Sequence, residues 1–328
     1  MKYLTLLLIF LPKLLLGQSM SGYYMNWNRD HTGRTIKPMI PISKEEAKIV
    51  NCYYVEFDEQ TRFKKVKYFI AGKPSADSNF GSHELVRVYN DTGYEDVFND
   101  IDGNSSVNLS GVKRYQYTLD QDGYWIEIRN LDEDDQLIEE NGVAIVKVKR
   151  DYQNRILTEV HLNLANDTIP DPNDFKIVHF TYDRNGYMTS RQNRDSEGRL
   201  KNGKHGYAKV LFQFDHNGMF YGEAFLDANL GLVTHPSIGY AKIDFRDFNK
   251  FGKSARQYYS DENGYPCADI CMGKLTYNDN MSRKELSFYD RVGEQAENNK
   301  GVAKIIYEYD TNGKFLGRKY LNVKNEVR

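Results

Sequence analysis

The sequence predicts an all-β chain in which tandem β-hairpin repeats of about 31 residues form a long twisted antiparallel sheet or a β-solenoid. Three observations carry this. The segment Gly206-Tyr207-Ala208-Lys209 returns as Gly239-Tyr240-Ala241-Lys242 and as Gly301-Val302-Ala303-Lys304, at spacings of 33 and 62. A degenerate copy stands at Gly142-Val143-Ala144-Ile145. A second anchor, Phe180-Thr181-Tyr182-Asp183-Arg184-Asn185-Gly186, recurs as Phe212 to Gly218 and as Tyr307 to Gly313. Turn glycines or asparagines fall at 93, 123, 154, 186, 218, 252 and 313, with gaps of 30, 31, 32, 32, 34 and 61. Finally, residues before these turns alternate with period two: Ala208, Val210, Phe212 and Phe214 on one face, Lys209, Gln213 and Asp215 on the other.

In chain order, residues 1–19 read as a secretory signal. Met1-Lys2 gives a basic start, Leu6 to Leu11 an apolar run, and Gly17 and Ser19 small residues for cleavage after one or the other. Lys13 interrupts the apolar stretch, which is too short for a membrane-spanning helix. Residues 20–46, with Tyr23-Tyr24 and Trp27, lack the repeat and are expected to cap the first unit, because an exposed sheet edge invites pairing with another chain. Ser43-Lys44-Glu45-Glu46 there has a Ser-x-x-Glu start for one helical turn. Residues 47–328 hold about nine units. In each, Asp-x-Asn-Gly supplies an Asx-type turn and a glycine for positive φ, so the strand before it returns as a hairpin with a bulge. Stacked hairpins would make a sheet whose aromatic face must be covered by curling on itself. A ring with a polar tip suits such a half-dry sheet, which accounts for 25 Tyr in 328 residues.

Composition excludes several classes. With 44 Lys+Arg against 46 Asp+Glu the net charge is −2, or −4 once Lys2 and Lys13 leave with the signal, so nothing favours nucleic acid as a partner. Three Cys cannot staple a disulfide scaffold of this length. Apolar and aromatic residues are too frequent for a disordered chain.

Tyr182-Asp183-Arg184-Asn185-Gly186 followed by Asp195-Ser196-Glu197-Gly198 resembles the YD repeats of RHS-type secreted bacterial proteins, over roughly Ala47 to Arg328. The Gly-Tyr-Ala-Lys segments are also similar to hairpin arrays of Bacteroidetes-like secreted proteins. The resemblance implies the fold. The unit here is longer than is usual for YD repeats. Asp171-Pro172-Asn173-Asp174 lacks the glycine of the family's Asp-Pro-x-Gly self-cleavage site, so encapsulation and self-cleavage do not carry over.

Candidate chemistry is sparse. Counting from Asp215, positions five and twelve of a calcium loop are Met219 and Leu226, so the Asp-x-Asn-Gly turns fail that template. The acidic run Asp132, Glu133, Asp134, Asp135 reads as a solvated loop, with Asp132, Asp134 and Asp135 as candidate ligands for a weakly held divalent cation. The seven histidines show no zinc or triad spacing, and no phosphate, dinucleotide or nucleophile-elbow motif is present, so no cofactor is expected. Cys267 and Cys271 are a candidate small-loop disulfide, with Cys52 left over and buried. Trp27, Trp125 and Tyr124 are candidate binding rings, Trp125 because it breaks the local alternation. These features favour a secreted, non-enzymatic repeat protein, periplasmic, extracellular or on the cell surface, with a protein or polysaccharide partner. The competing reading is a glycan-processing hydrolase using acids in a groove of the sheet.

Overall fold

The computed structural model describes residues 21–29, 36–77, 81–215 and 218–328. The secretory-signal segment lies outside them. Before the repeats stand a separate hairpin of β1 (Gly22–Arg29) and β2 (Ile36–Ile42) and one helical turn, α1 (Lys44–Ala47). Ser43 and Glu46 close a capping box on α1, each side chain accepting the other's backbone N–H.

Nine hairpins follow. They are β3 (Cys52–Phe57) with β4 (Phe63–Ile70), then, after the short β5 (Lys73–Pro74), β6 (Glu84–Tyr89) with β7 (Gly93–Asn99). After β8 (Ser105–Ser106) come β9 (Arg114–Leu119) with β10 (Trp125–Leu131), and β11 (Ile145–Arg150) with β12 (Ile156–Leu162). Beyond β13 (Thr168–Ile169), the pairs are β14 (Ile177–Tyr182) with β15 (Met188–Asn193), and β16 (Lys209–Phe214) with β17 (Phe220–Leu226). The last three are β18 (Lys242–Phe248) with β19 (Ser254–Ser260), β20 (Met272–Tyr277) with β21 (Arg283–Tyr289), and β22 (Lys304–Tyr309) with β23 (Phe315–Leu321). All 23 strands belong to one antiparallel sheet that runs outward from β1 and β3 in sequence order. Strands β2 and β23 each have one partner, so the sheet is not closed into a barrel.

The turns explain the repeat. In the β14–β15 turn, Asp183 Oδ1 accepts the N–H of Asn185 at 2.8 Å and of Tyr187 at 2.9 Å, and Gly186 sits at φ 83°. The ladder slips by one residue beside it, which is the bulge. The same left-handed position is filled at Thr61, Gly123, Asn154, Gly218, Gly252, Met281 and Gly313. Gly93 is the exception: Asn90 N–H meets Gly93 O at 3.0 Å across a tighter turn with no slip. The aspartate lone pairs are thus used by the backbone.

Gly-Tyr-Ala-Lys marks where one unit joins the next. The alanines Ala144, Ala208, Ala241 and Ala303 are fully buried. Each alanine N–H reaches the end of its own hairpin's return strand (Ala208 to Leu226 O, Ala303 to Leu321 O, both 2.8 Å), and its carbonyl takes an N–H from the unit before. A larger side chain would not fit. Hairpins hold five or six register pairs inside themselves, but most neighbouring hairpins share three, all near the base. Toward the tips the ladder between units stops.

Tyrosine fills that opening. The Tyr before the turn Asp or Asn donates its hydroxyl to the carbonyl that begins the previous return strand: Tyr89 to Phe63 at 2.9 Å, Tyr182 to Ile156 at 2.9 Å, Tyr277 to Ser254 and Tyr309 to Arg283 at 2.8 Å. In the fourth hairpin Arg150 holds the Tyr position, and its Nη2 donates to Trp125 O at 2.6 Å instead. The ring covers the splayed strands and the hydroxyl satisfies a carbonyl the ladder has abandoned.

The sheet coils until its later tips meet its beginning. Asn51 N–H donates to Asn280 O at 2.8 Å, Lys250 Nζ pairs with Glu46 at 2.6 Å, and Lys37 Nζ donates to Tyr187 Oη at 2.7 Å. Phe251 and Met281, both on turns, pack into one apolar cluster with Met25, Ala47, Val50 and Cys52. The remaining core is a series of local clusters, each shared by neighbouring hairpins, as in a quasi-one-dimensional array.

Candidate functional site

The coil leaves a half-open groove of about 890 Å³ between the first hairpins and the tips of the last four. Its apolar wall is a line of rings from those tips, with Phe220 5.6 Å from Phe245 and Tyr309 5.7 Å from Phe315. Strand alternation puts them there. The face that begins with buried Ala208 and Val210 or Ala303 ends in half-buried Phe212 and Phe214, or Tyr307 and Tyr309. A second cavity of about 540 Å³ adjoins the groove and shares Ile70, Tyr277, Ser282, Tyr309 and Gly313 with it, so the depression is elongated.

Four cations line the groove: Lys253, Arg283, Lys314 and Arg318. Among the described residues none of them has an ion-pair partner. The Arg283 and Arg318 guanidinium groups lie 6.0 and 5.5 Å from the Tyr307 ring centre. Burial, and then the Arg283 charge, hold the Lys253 amine below the ordinary lysine value. Among the described residues Asp77 is the one carboxylate lining the groove itself, and Asp279 and Asp310 line the adjoining cavity. Asp77 is buried and accepts the Tyr53 hydroxyl at 2.5 Å, and burial first, then Asp77, pushes the Tyr53 phenol up. Tyr53 and Tyr68 lie 5.1 Å apart. Asn51 Oδ1 is buried with no hydrogen-bond partner among the described residues.

Trp125 is core, 2% exposed, edge-on to Tyr117 at 6.1 Å, because its strand position faces the Arg87 side of the sheet. It offers no surface for a ligand. Tyr124 stands beside it, with the Arg150 guanidinium 5.3 Å from its ring. Trp27 is half-buried, edge-on to Tyr53 at 6.4 Å behind the groove wall. In the acidic run, Asp132 Oδ1 accepts the N–H of Asp134 and Gln136, both at 2.9 Å, while Asp135 pairs with Arg114 Nη1 at 2.5 Å. Asp134 is exposed, and among the described residues no group of three acids, histidines or cysteines gathers to hold a metal ion. Cys267 and Cys271 are separate thiols. The backbone pins them to opposite neighbours, Cys267 N–H to Tyr259 O and Cys271 N–H to Tyr289 O. Burial pushes the Cys267 thiol up to about 11 and the Cys52 thiol up to about 12.

Sequence reasoning missed every groove cation. One signal was available: the turns of the β18–β19 and β20–β21 hairpins begin with Asn249 and Asn278 where most others have Asp. It also missed His205 and His235, which stack at 5.5 Å beside Tyr207.

The class defined by this geometry is an open, coiled β-hairpin array with one groove at the meeting of its ends. No family model and no curated protein matches the chain. Among solved structures it is similar to YD/RHS-repeat chains of toxin complexes. They include TcdB2-TccC3-TEV (TM-score 0.30, 8% identity, 89% of this chain and 16% of that one) and TcdB2-TccC3-Cdc42 (0.31, 11%, 85% and 13%). The Photorhabdus luminescens Tc holotoxin pore is a third (0.29, 10%, 83% and 13%). This chain therefore spans about a sixth or less of the length of those it matches, and a likeness at that level carries nothing about activity.

Proposed function

We propose that the protein is a secreted, non-enzymatic repeat protein that binds an envelope or extracellular polysaccharide in the groove at the meeting of its ends. One observation carries this reading: the place where the repeat average breaks is lined by rings, cations and an unpartnered acceptor, with a single carboxylate already engaged by Tyr53. Ring faces stack on sugar rings, and a sugar hydroxyl can donate to Asn51 Oδ1. The volume falls in the range of about 300–1,000 Å³ typical of ligand pockets. Glycoside hydrolysis by the usual route needs two carboxylates about 5–9.5 Å apart; among the described residues the groove itself is lined by Asp77, and the adjoining cavity by Asp279 and by Asp310, whose Oδ1 accepts its own turn N–H groups. Among the described residues no helix is long and apolar enough to cross a membrane. The reading is tested by capture of the purified chain on immobilised envelope polysaccharide, with reducing-end release monitored alongside. Capture without release supports it. Release that disappears in Asp77→Asn would restore the hydrolase. Export is tested by fractionation and by the mature N-terminus, expected after Gly17 or Ser19.

A further inference from the structure

Resting on that reading, we infer that the groove's ligand is an acidic polysaccharide whose carboxylate or sulfate groups are held by Lys253, Arg283 and Arg318. Several hairpins place a cation directly after the left-handed turn residue; in the last of them Lys314 follows Gly313, and its backbone N–H alone reaches the Asp310 carboxylate. In the first and fourth hairpins the residue after the left-handed position is Arg62 or Arg155, and each closes on its own turn aspartate, Asp58 or Asp151, at 2.7 Å. In the seventh hairpin the same place is held by Lys253, but the turn begins with Asn249. The Asn249 side chain makes the same backbone bonds, to Phe251 N–H and Lys253 N–H at 3.0 Å, and brings no charge. In the next hairpin Ser282 follows the left-handed Met281, Asn278 Nδ2 donates to Ser282 Oγ at 2.9 Å, and Arg283 comes one place later.

At Asn249 the turn geometry is therefore kept without its counter-ion, in a hairpin whose tip faces the groove. What the amide adds to the fold is a 3.5 Å contact from Asn249 Nδ2 to Met281 Sδ, a weak acceptor. Burial first, and then the Arg283 charge, disfavour the charged form of the Lys253 amine. A cleft lined by one sign of charge focuses its field on the opposite sign. The rings beside the cations narrow the anion to one carried on a flat-faced scaffold: Tyr307 lies between the two guanidinium groups, and Tyr309 and Phe315 continue the wall. The adjoining second cavity, lined by Lys73 and Lys284 as well as Asp279 and Asp310, gives room for a chain beyond a single small anion.

The test uses the full chain and matched probes: an oligogalacturonate, the same oligomer with its carboxyls methyl-esterified, sulfated dextran and poly-glutamate, each followed by calorimetry. Expected are binding of an acidic glycan, weakening as salt rises from low to physiological strength, and a loss of about tenfold or more on esterification. Asn249→Asp, which puts a carboxylate on the turn beside Lys253, should weaken acidic-glycan binding by about fivefold or more while the melting temperature holds or rises. Lys253→Met should do the same, and its preserved melting temperature separates lost binding from lost folding. Equal binding of the acidic and esterified oligomers would overturn the charge assignment and leave the groove reading standing. Poly-glutamate binding as tightly as the glycans would move the ligand to acidic protein and overturn the inference. Failure of all acidic glycans overturns it too, and capture on envelope polysaccharide then decides the groove reading separately. An Asn249→Asp variant that binds unchanged would also refute it.

Discussion

Asp96→Asn should destabilise the second and third hairpins by about 3–5 kcal/mol, the cost of breaking a buried ion pair from one side. Asp96 on β7 is the cross-strand partner of Arg87 on β6. Their contacts are bidentate, Nε to Oδ1 at 2.7 Å and Nη2 to Oδ2 at 2.8 Å, and the side chains are 2% and 3% exposed. The guanidinium carbon lies 3.9 Å from the Tyr94 ring centre, 5.0 Å from Phe63 and 5.4 Å from Tyr117. Asn keeps the shape but offers one acceptor to two donors and removes the counter-charge, and the rings leave little room for water to replace it. Unit charges about 4 Å apart attract by about 4 kcal/mol at an effective dielectric of about 20, which agrees with that range. The assay is urea unfolding with hydrogen exchange read by segment. The lost protection should centre on residues 84–131, because the core clusters there are shared by neighbouring hairpins only. Arg87→Met with Asp96→Leu should recover most of the loss, since apolar replacements of a buried pair are often neutral or better. A cost below about 1 kcal/mol for Asp96→Asn would refute the reasoning, because that is the worth of a solvated pair.

Three further outcomes are expected. Tyr182→Phe and Tyr277→Phe should each cost about 1–2 kcal/mol in urea unfolding by stranding a carbonyl of the previous hairpin, whereas Tyr265→Phe, 66% exposed, should stay within about 0.5 kcal/mol. Gly313→Ala and Gly293→Ala share the strain of φ 81° and 85°, but only a Cβ at Gly313 meets a neighbour, Ile70 Cγ2 at 2.7 Å. The excess cost of Gly313→Ala, about 1 kcal/mol or more, therefore reports docking of the last tip on the first hairpin. The Glu46 carboxyl is drawn down to about 2 by its bonds to Lys250 and then Ser43. Its folded value lies below the unfolded one, so its support is present above about pH 4.5 and is lost as pH falls through about 2. Exchange protection at residues 44–52 should fall in that window, and Glu46→Gln should remove the pH dependence.

What the sequence made legible was whatever is written locally and repeatedly. The Asp-x-Asn-Gly turns and the strand alternation have short-range causes, a left-handed residue and a two-residue period, and both stand in the structure. The gap of 61 between Gly252 and Gly313 hid a hairpin whose left-handed residue is Met281, because a side chain at that φ leaves no glycine to read. The Tyr before the turn was visible, but its role was not. Its hydroxyl acts on a carbonyl 23 to 26 residues earlier, across a ladder whose end only coordinates reveal. Trp125 looked like a break in alternation and therefore a surface ring. It sits at a slip between Trp125 and Glu127, which turns the outward position inward. The groove was illegible for a stronger reason. Its walls come from residues as far apart as Asn51 and Lys314, and their meeting depends on curvature summed over nine hairpins.

That curvature also decides where function can sit. A repeat gives every hairpin the same side-chain ladder, so a surface that only repeats offers a ligand many equivalent weak places. A site needs asymmetry, and this coil creates it at one place, where the tips of late hairpins face the strands of the first. Departures from the repeat elsewhere serve the fold: Arg150 stands in for a clamping tyrosine, and the Arg87–Asp96 pair fills the second hairpin's core. Asn249 accepts the same turn N–H groups aspartate would, those of Phe251 and Lys253, and brings no charge beside Lys253, while its amide adds a 3.5 Å contact to Met281 Sδ. A substitution that preserves geometry, forgoes an ion pair and falls at the array's one asymmetric groove is best explained by what the groove receives. If fold alone governed this position, Asn249→Asp would stabilise the chain and change nothing it binds.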